Sequence, residues 1–254
     1  MDTEAQHTER DLSPDADTRT EERPRFALSW RTSGLIGLIC AVALLLVSQF
    51  VVQPFQIPSG SMQPTLQVGD RLLVNKLAYR FGAQPARGDV IVFDGTGSFV
   101  RDVPEENPVT GLLRGAAAAL GLAEPADTDF VKRVVGVGGD RVTCCDKEGR
   151  IEVNGAPVDE TPYLYPGNPP SQVPFDIVVP PGTLWVMGDH RSQSRDSRDH
   201  LGSPGGGMVP VDKVIGRADW IGWPASRWSG ISPTDAFDSV PRAPHASATG
   251  GGHG

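Results

Sequence analysis

The sequence predicts a mainly β protein, an antiparallel sheet domain preceded by one transmembrane helix. Three observations carry this. An uncharged apolar run, GLIGLICAVALLLVSQFVV from Gly34 to Val52, approaches the roughly 20 residues that a bilayer-crossing helix needs. After it, short segments rich in β-branched and aromatic residues recur, each closed by Gly, Pro or Asp. The 254 residues include 30 Gly and 23 Pro but only 7% aromatics, which favours turns and short strands over a helical bundle.

Taken in order, residues 1–29 are polar, charged and without apolar periodicity, as in a disordered tail. Residues 30–53 form the anchor. No A-x-A-like site follows the apolar run, so it reads as a retained span rather than a cleaved leader. Arg23, Arg25 and Arg31 precede it, and no Lys or Arg follows until Arg71, which puts the N-terminus in the cytoplasm and the rest outside, in the plasma membrane of a cell. Residues 54–228 form the β domain. Its strands are read in RLLVNKLAY, GDVIVFDG, DFVKRVVGV, DRVTCC, RIEVNGAPV, FDIVVPPGTLWVMGD and KVIGRADWIGW. An insertion-like stretch, about 95–128, contains GLLRGAAAALGLA (111–123), whose composition predicts a short helix. From 229 to 254 the chain is Ser/Pro/Gly/His-rich and reads as a second disordered tail.

The net charge of -8 and the scattered basic residues exclude a nucleic-acid-binding stripe. Cys40 acts as a small hydrophobe within the apolar run. Cys144 and Cys145 adjoin in a strand-like stretch, so they read as two separate thiols on opposite faces. No ligand set for a metal is visible, and no cofactor is called for.

The stretch PFQIPSGSMQPTL (54–66) places two serines among Pro and Gly just beyond the span, as either a stiff connector or a nucleophile mount. A serine hydroxyl needs a base to attack at neutral pH. In GDHRSQSRDSRDH, Asp189 adjoins His190 and Asp199 adjoins His200, but neighbours along a strand diverge, and both histidines read as solvated loop residues. Among the four lysines, Lys147 sits in an exposed turn and Lys76 can snorkel from a strand end. In DFVKRVVGV the pleat gives Lys132 the apolar neighbours Phe130 and Val134, the surroundings that lower a lysine pKa. On pattern alone a base and a snorkelling edge residue both fit Lys132.

These segments together resemble type I signal peptidases, membrane-anchored Ser/Lys endopeptidases that remove signal peptides from exported preproteins. The resemblance rests on PSGSMQPTL (58–66), VGDRLLVNK (68–76), RGDVIVF (87–93), VKRVVGVGGDRV (131–142) and VMGDHRSQSRDSRDHLG (186–202), in that order after an anchor. It implies an antiparallel β domain of signal-peptidase type with a membrane-resting non-polar surface. Ser61 would be the nucleophile and Lys132 its general base. Ser59 would join the Ser61 N–H in the oxyanion hole, and Ser194 would orient the lysine. Asp196 and Arg198 would form a supporting pair, with Asp189 and Arg191 in the same box. The partners implied are signal peptides cut after Ala-x-Ala and the lipid bilayer, with no metal and no nucleic acid. Shallow pockets for the small residues fall to Phe55, Ile57, Pro58, Met62, Leu66, Phe130 and Val131. Where this family often has Asn-Arg-Asp-Asn, the chain has His190, Arg191, Ser192 and Gln193. A catalytically idle β domain and a repressor-type self-cleaving protein are the competing readings. Both Ser61 and Lys132 being present counts against the first, and the anchor against the second.

Overall fold

The computed structural model describes residues 30–100 and 128–243. A single helix, α1 (Trp30–Phe50), is long and apolar enough among the described residues to cross a membrane. Its 21 residues span roughly 30 Å, the thickness of a hydrocarbon core, and its leucines and isoleucines stand exposed. The helix ends at Phe50, and Val52 already opens a strand, so the β domain begins two residues inside the range expected for the anchor. Val52–Gln56 alternates and pairs, which a composition window centred on the apolar run absorbs into the span.

Among the described residues the domain holds twelve strands: β1 (Val52–Gln56), β2 (Arg71–Asn75), β3 (Val90–Asp94), β4 (Asp129–Val137), β5 (Arg141–Cys144), β6 (Ile151–Val153), β7 (Ala156–Pro157), β8 (Phe175–Val178), β9 (Thr183–Met187), β10 (Val209–Pro210), β11 (Val214–Trp223) and β12 (Ser229–Gly230). The larger sheet runs β1-β2-β11-β3-β4-β9-β10, with β12 on β11, and the smaller runs β7-β6-β5-β8. Every pairing between these strands is antiparallel. Each strand-like segment of the sequence contains at least one of them, so the mainly antiparallel β fold stands. Asn154 and Gly155, at φ 54° and 79°, supply the Asn-Gly turn that closes the β6–β7 hairpin.

Residues of β3 are buried on both faces, and alternation divides them between two clusters. Val90 and Val92 join Phe55, Met62, Leu66, Leu72 and Val74, whereas Ile91 and Phe93 join Phe99, Val134, Leu184 and Val186. A third cluster, around Trp185, covers the small sheet. β4 lies between β3 and β9, which makes it a central strand with the site residue Lys132 opposite Ile91.

Three expectations are corrected here. Residues 229–243 are ordered: β12 pairs with β11, and Phe237 and Val240 are buried in the Trp185 cluster. The Asn154 amide and the Arg87 guanidinium also donate to the Pro241 carbonyl, at 2.9 and 3.1 Å. Two apolar anchors inside a Ser/Pro-rich run suffice, and composition averages conceal them. The insertion is shorter than expected. Gly95 N–H bonds the Thr128 carbonyl at 2.7 Å, and Phe99 packs edge-on to Phe93 at 5.3 Å, so 95–100 belongs to the domain. The helix expected at 111–123 lies outside the described residues. Finally, Cys144 and Cys145 are joined as a disulfide across a cis peptide, with their Cα atoms 3.0 Å apart. β5 stops at Cys144, so the strand alternation that would separate the two side chains does not extend to Cys145.

The C-terminal packing is testable. Phe237→Ala is expected to cost about 3–4 kcal/mol in thermal or denaturant unfolding, as for a buried phenylalanine. An unchanged unfolding midpoint would show that 229–243 contributes nothing.

Candidate active site

Ser61 stands in the middle of a 3-10 turn, Gly60–Met62, directly after the extended Ser59. The neighbouring Met62 is fully buried in the cluster under β2 and β3, and Leu66 N–H returns to the Met62 carbonyl at 2.9 Å. The turn is thus anchored from below, and Ser61 itself is 8% exposed. Its carbonyl accepts from the His190 N–H at 3.0 Å, which ties the turn to the segment after β9.

Lys132 reaches this turn from the middle of β4. Its Nζ lies 3.0 Å from Ser61 Oγ and donates to the Val131 carbonyl at 3.1 Å. The side chain is 4% exposed, and burial lowers its pKa to about 8, against the smaller upward pull of the Asp196 and Asp189 carboxylates. A neutral amine is therefore accessible near physiological pH, within hydrogen-bond reach of a hydroxyl. That is the arrangement a serine needs for activation. Ser59 Oγ lies 3.3 Å from Ser61 Oγ on the exposed side of the turn.

Asp189 and Asp196, the two carboxylates near the lysine, are each committed elsewhere. Asp189 takes a two-pronged bond from Arg133, at 2.8 and 2.7 Å, and one from Thr65 Oγ1 at 2.5 Å. Asp196 takes two from Arg198, both at 2.8 Å, and one from the Gly188 N–H at 3.0 Å. Burial pushes the Asp196 carboxyl up, but Arg198 and the Gly188 N–H outweigh it and hold it below the usual carboxylate range. Arg191 pairs with the buried Glu160 and donates through Nε to the Gly188 carbonyl at 3.0 Å. Asp196 and Arg198 pair with each other as expected, whereas Asp189 and Arg191 pair with Arg133 and Glu160.

Several expectations need correction. Ser194 does not hydrogen-bond Lys132. Its buried Oγ faces the Asp196 carboxylate instead and packs on the Cα of Gly188. The Val131 carbonyl takes the hydrogen bond expected of Ser194. His190 is no solvated loop residue. It is 5% exposed and stacked on Tyr165, because the segment after β9 folds back under the turn. Of the pocket residues, Phe55, Ile57, Met62 and Leu66 are buried together with Val131 against them, and Pro58 is exposed beside them. Phe130 does not join this group. The pleat of β4 sends it to the opposite face, where it stacks with Phe93 at 5.8 Å.

Gly188 is a site residue that the sequence reading passed over. A Cβ there would come within 2.5 Å of the Ser61 carbonyl oxygen and overlap Ser194. A glycine closing the apolar strand LWVM, immediately before a dense polar box, was the available signal.

A serine set against a buried amine on an antiparallel β scaffold is the constellation of a serine hydrolase that uses lysine in place of histidine. The sequence matches the family described as signal peptidase, peptidase S26, over residues 29–223, and the chain belongs to that family. It is accordingly a serine peptidase. It is 40% identical over 248 residues to signal peptidase I of Mycobacterium tuberculosis strain H37Rv, covering 86% of this chain and 83% of that protein. Identity to the probable signal peptidase I of Mycobacterium leprae is 37% over 246 residues, with 85% and 83% covered. A crystal structure of a signal peptidase I from Enterococcus faecalis V583 aligns with 53% of this chain and 96% of its own, at 21% identity and a TM-score of 0.32.

Gly188→Ala is expected to lower kcat at least about 100-fold, since the added methyl must displace the Ser61 backbone. Turnover close to that of the unmodified enzyme would mean that this contact is dispensable.

Proposed function

We propose that this signal peptidase family member cleaves the signal peptides of exported preproteins through Ser61 as nucleophile and Lys132 as general base. The observation that carries the reading is the 3.0 Å approach of a 4% exposed lysine amine to the serine hydroxyl. Neutral Lys132 takes the Ser61 proton as Oγ attacks the scissile carbonyl. The Ser59 hydroxyl and the Ser61 N–H stabilise the resulting oxyanion, in the manner of donors worth roughly 3 kcal/mol each. The protonated amine then gives its proton to the departing amine of the mature chain, leaving an acyl enzyme. Water, deprotonated by the same lysine, hydrolyses the ester and frees the signal peptide.

The packing of the expected pocket residues supports a preference for Ala-x-Ala. Ile57, Met62, Leu66 and Val131 are apolar and closely packed, so side chains larger than a methyl meet filled space. The apolar run of α1, uncharged from Thr32 to Phe50, ends just before the β domain that carries Ser61, and Arg23, Arg25 and Arg31 precede that run. That order supports a catalytic domain on the outer membrane surface, where the cleavage site of a membrane-inserted signal peptide emerges.

Two measurements test the proposal. In a cleavage assay on an Ala-x-Ala preprotein, Ser61→Ala and Lys132→Ala should each lose at least about 1000-fold in kcat while remaining folded. Full activity of Lys132→Ala would sink the mechanism. The base acts unprotonated, and its pKa is lowered to about 8, so kcat should rise about tenfold per pH unit below 8 and level off above it. A rate independent of pH between 6 and 10 would contradict this role for Lys132.

A further inference from the structure

The segment from 159 to 173 joins β7 to β8 of the small sheet and has no strand of its own. It nevertheless meets the polar box after β9 along its whole length. Glu160 pairs with Arg191, and the Pro170 carbonyl accepts from the same guanidinium at 2.6 Å. Asn168 Oδ1 accepts from the Ser192 N–H at 2.9 Å. At its centre, Tyr165 makes two contacts of different kinds. Its backbone N–H donates to the Asp189 carbonyl at 3.0 Å, and its ring lies flat on His190, with centroids 3.8 Å apart and planes 4° from parallel.

The next link is short, because the His190 N–H holds the Ser61 carbonyl. The His190 ring does not occupy this place for hydrogen bonding, since its buried Nδ1 has no partner among the described residues. A buried polar atom left unpaired is unfavourable, so what keeps the ring there is the stacking. The Tyr165 hydroxyl likewise makes no hydrogen bond among the described residues, and the ring face is what the site uses.

We propose that Tyr165 and His190 form a positioning pair that fixes the backbone of Ser61 and thereby the distance from its hydroxyl to Lys132. The pair touches no substrate and acts through the peptide plane of the nucleophile. The small sheet thus enters catalysis through one loop. This rests on Ser61 being the nucleophile.

The test uses the full-length protein in detergent, with kcat and KM measured separately on an Ala-x-Ala preprotein. Tyr165→Leu should lower kcat about tenfold or more and leave KM within about twofold, because the pocket cluster is untouched. Tyr165→Phe, which keeps the ring, should restore kcat. His190→Asn keeps the N–H but loses the ring, and should reproduce the kcat loss. The double variant should lose no more than either single one. If Tyr165→Leu fails to fold, His190→Asn carries the test alone. Additive losses, a Phe variant as impaired as Leu, or a change confined to KM would overturn the proposal. Ser61→Ala serves as the control. If it is inactive while Tyr165→Leu turns over normally, this proposal alone fails, and if it is active, the nucleophile assignment fails as well.

Discussion

The site depends on keeping one lysine out of water. Moving the Lys132 pKa from 10.5 to about 8 means that its surroundings favour the neutral amine by about 3 kcal/mol more than water does. A central strand is the natural place to achieve this. β4 is covered by β3 on one side and β9 on the other, so a side chain in its middle has no edge from which to reach solvent. The same lysine on an edge strand would snorkel and keep its proton.

That constraint explains the ion pairs around it. Asp189 and Asp196 both act to raise the lysine pKa and would undo the effect of burial if left free. Each is instead held by its own arginine, Arg133 or Arg198, and the remaining lone pairs go to Thr65 and the Gly188 N–H. Buried ion pairs add little net stability, because desolvation offsets most of their attraction. What these pairs provide is geometry. They close the segment after β9 around Gly188, whose bare Cα lets that segment lie against the Ser61 carbonyl.

Much of the fold was legible along the chain because short β segments announce themselves by local pattern. Alternation in VIVFD and DFVKRVVGV correctly divides Phe130 and Val134 from Val131. The same rule failed for Cys145, just past the end of β5, and for His190, in a segment that is polar in composition yet buried. Residues 229–243 failed differently, since two anchors, Phe237 and Val240, outweigh the composition of their neighbours. Phe130 is the clearest pocket error: the pleat of β4 puts it on the face opposite Val131, where it stacks on Phe93 away from the Phe55–Leu66 cluster.

From residue order alone one could read a single apolar helix, an antiparallel β domain, and the two residue types that a lysine-assisted serine requires. Period, length and charge are local quantities, and one chain carries them openly. The 3.0 Å between Lys132 and Ser61 is of another kind, as are the pairing of Asp189 with Arg133 and not Arg191, the facing of Ser194 to Asp196 and not Lys132, and the stacking of Tyr165 on His190. Each joins residues far apart in the chain or chooses among several chemically equivalent partners. Only the closed sheets, which set which side chains share a buried volume, make that choice.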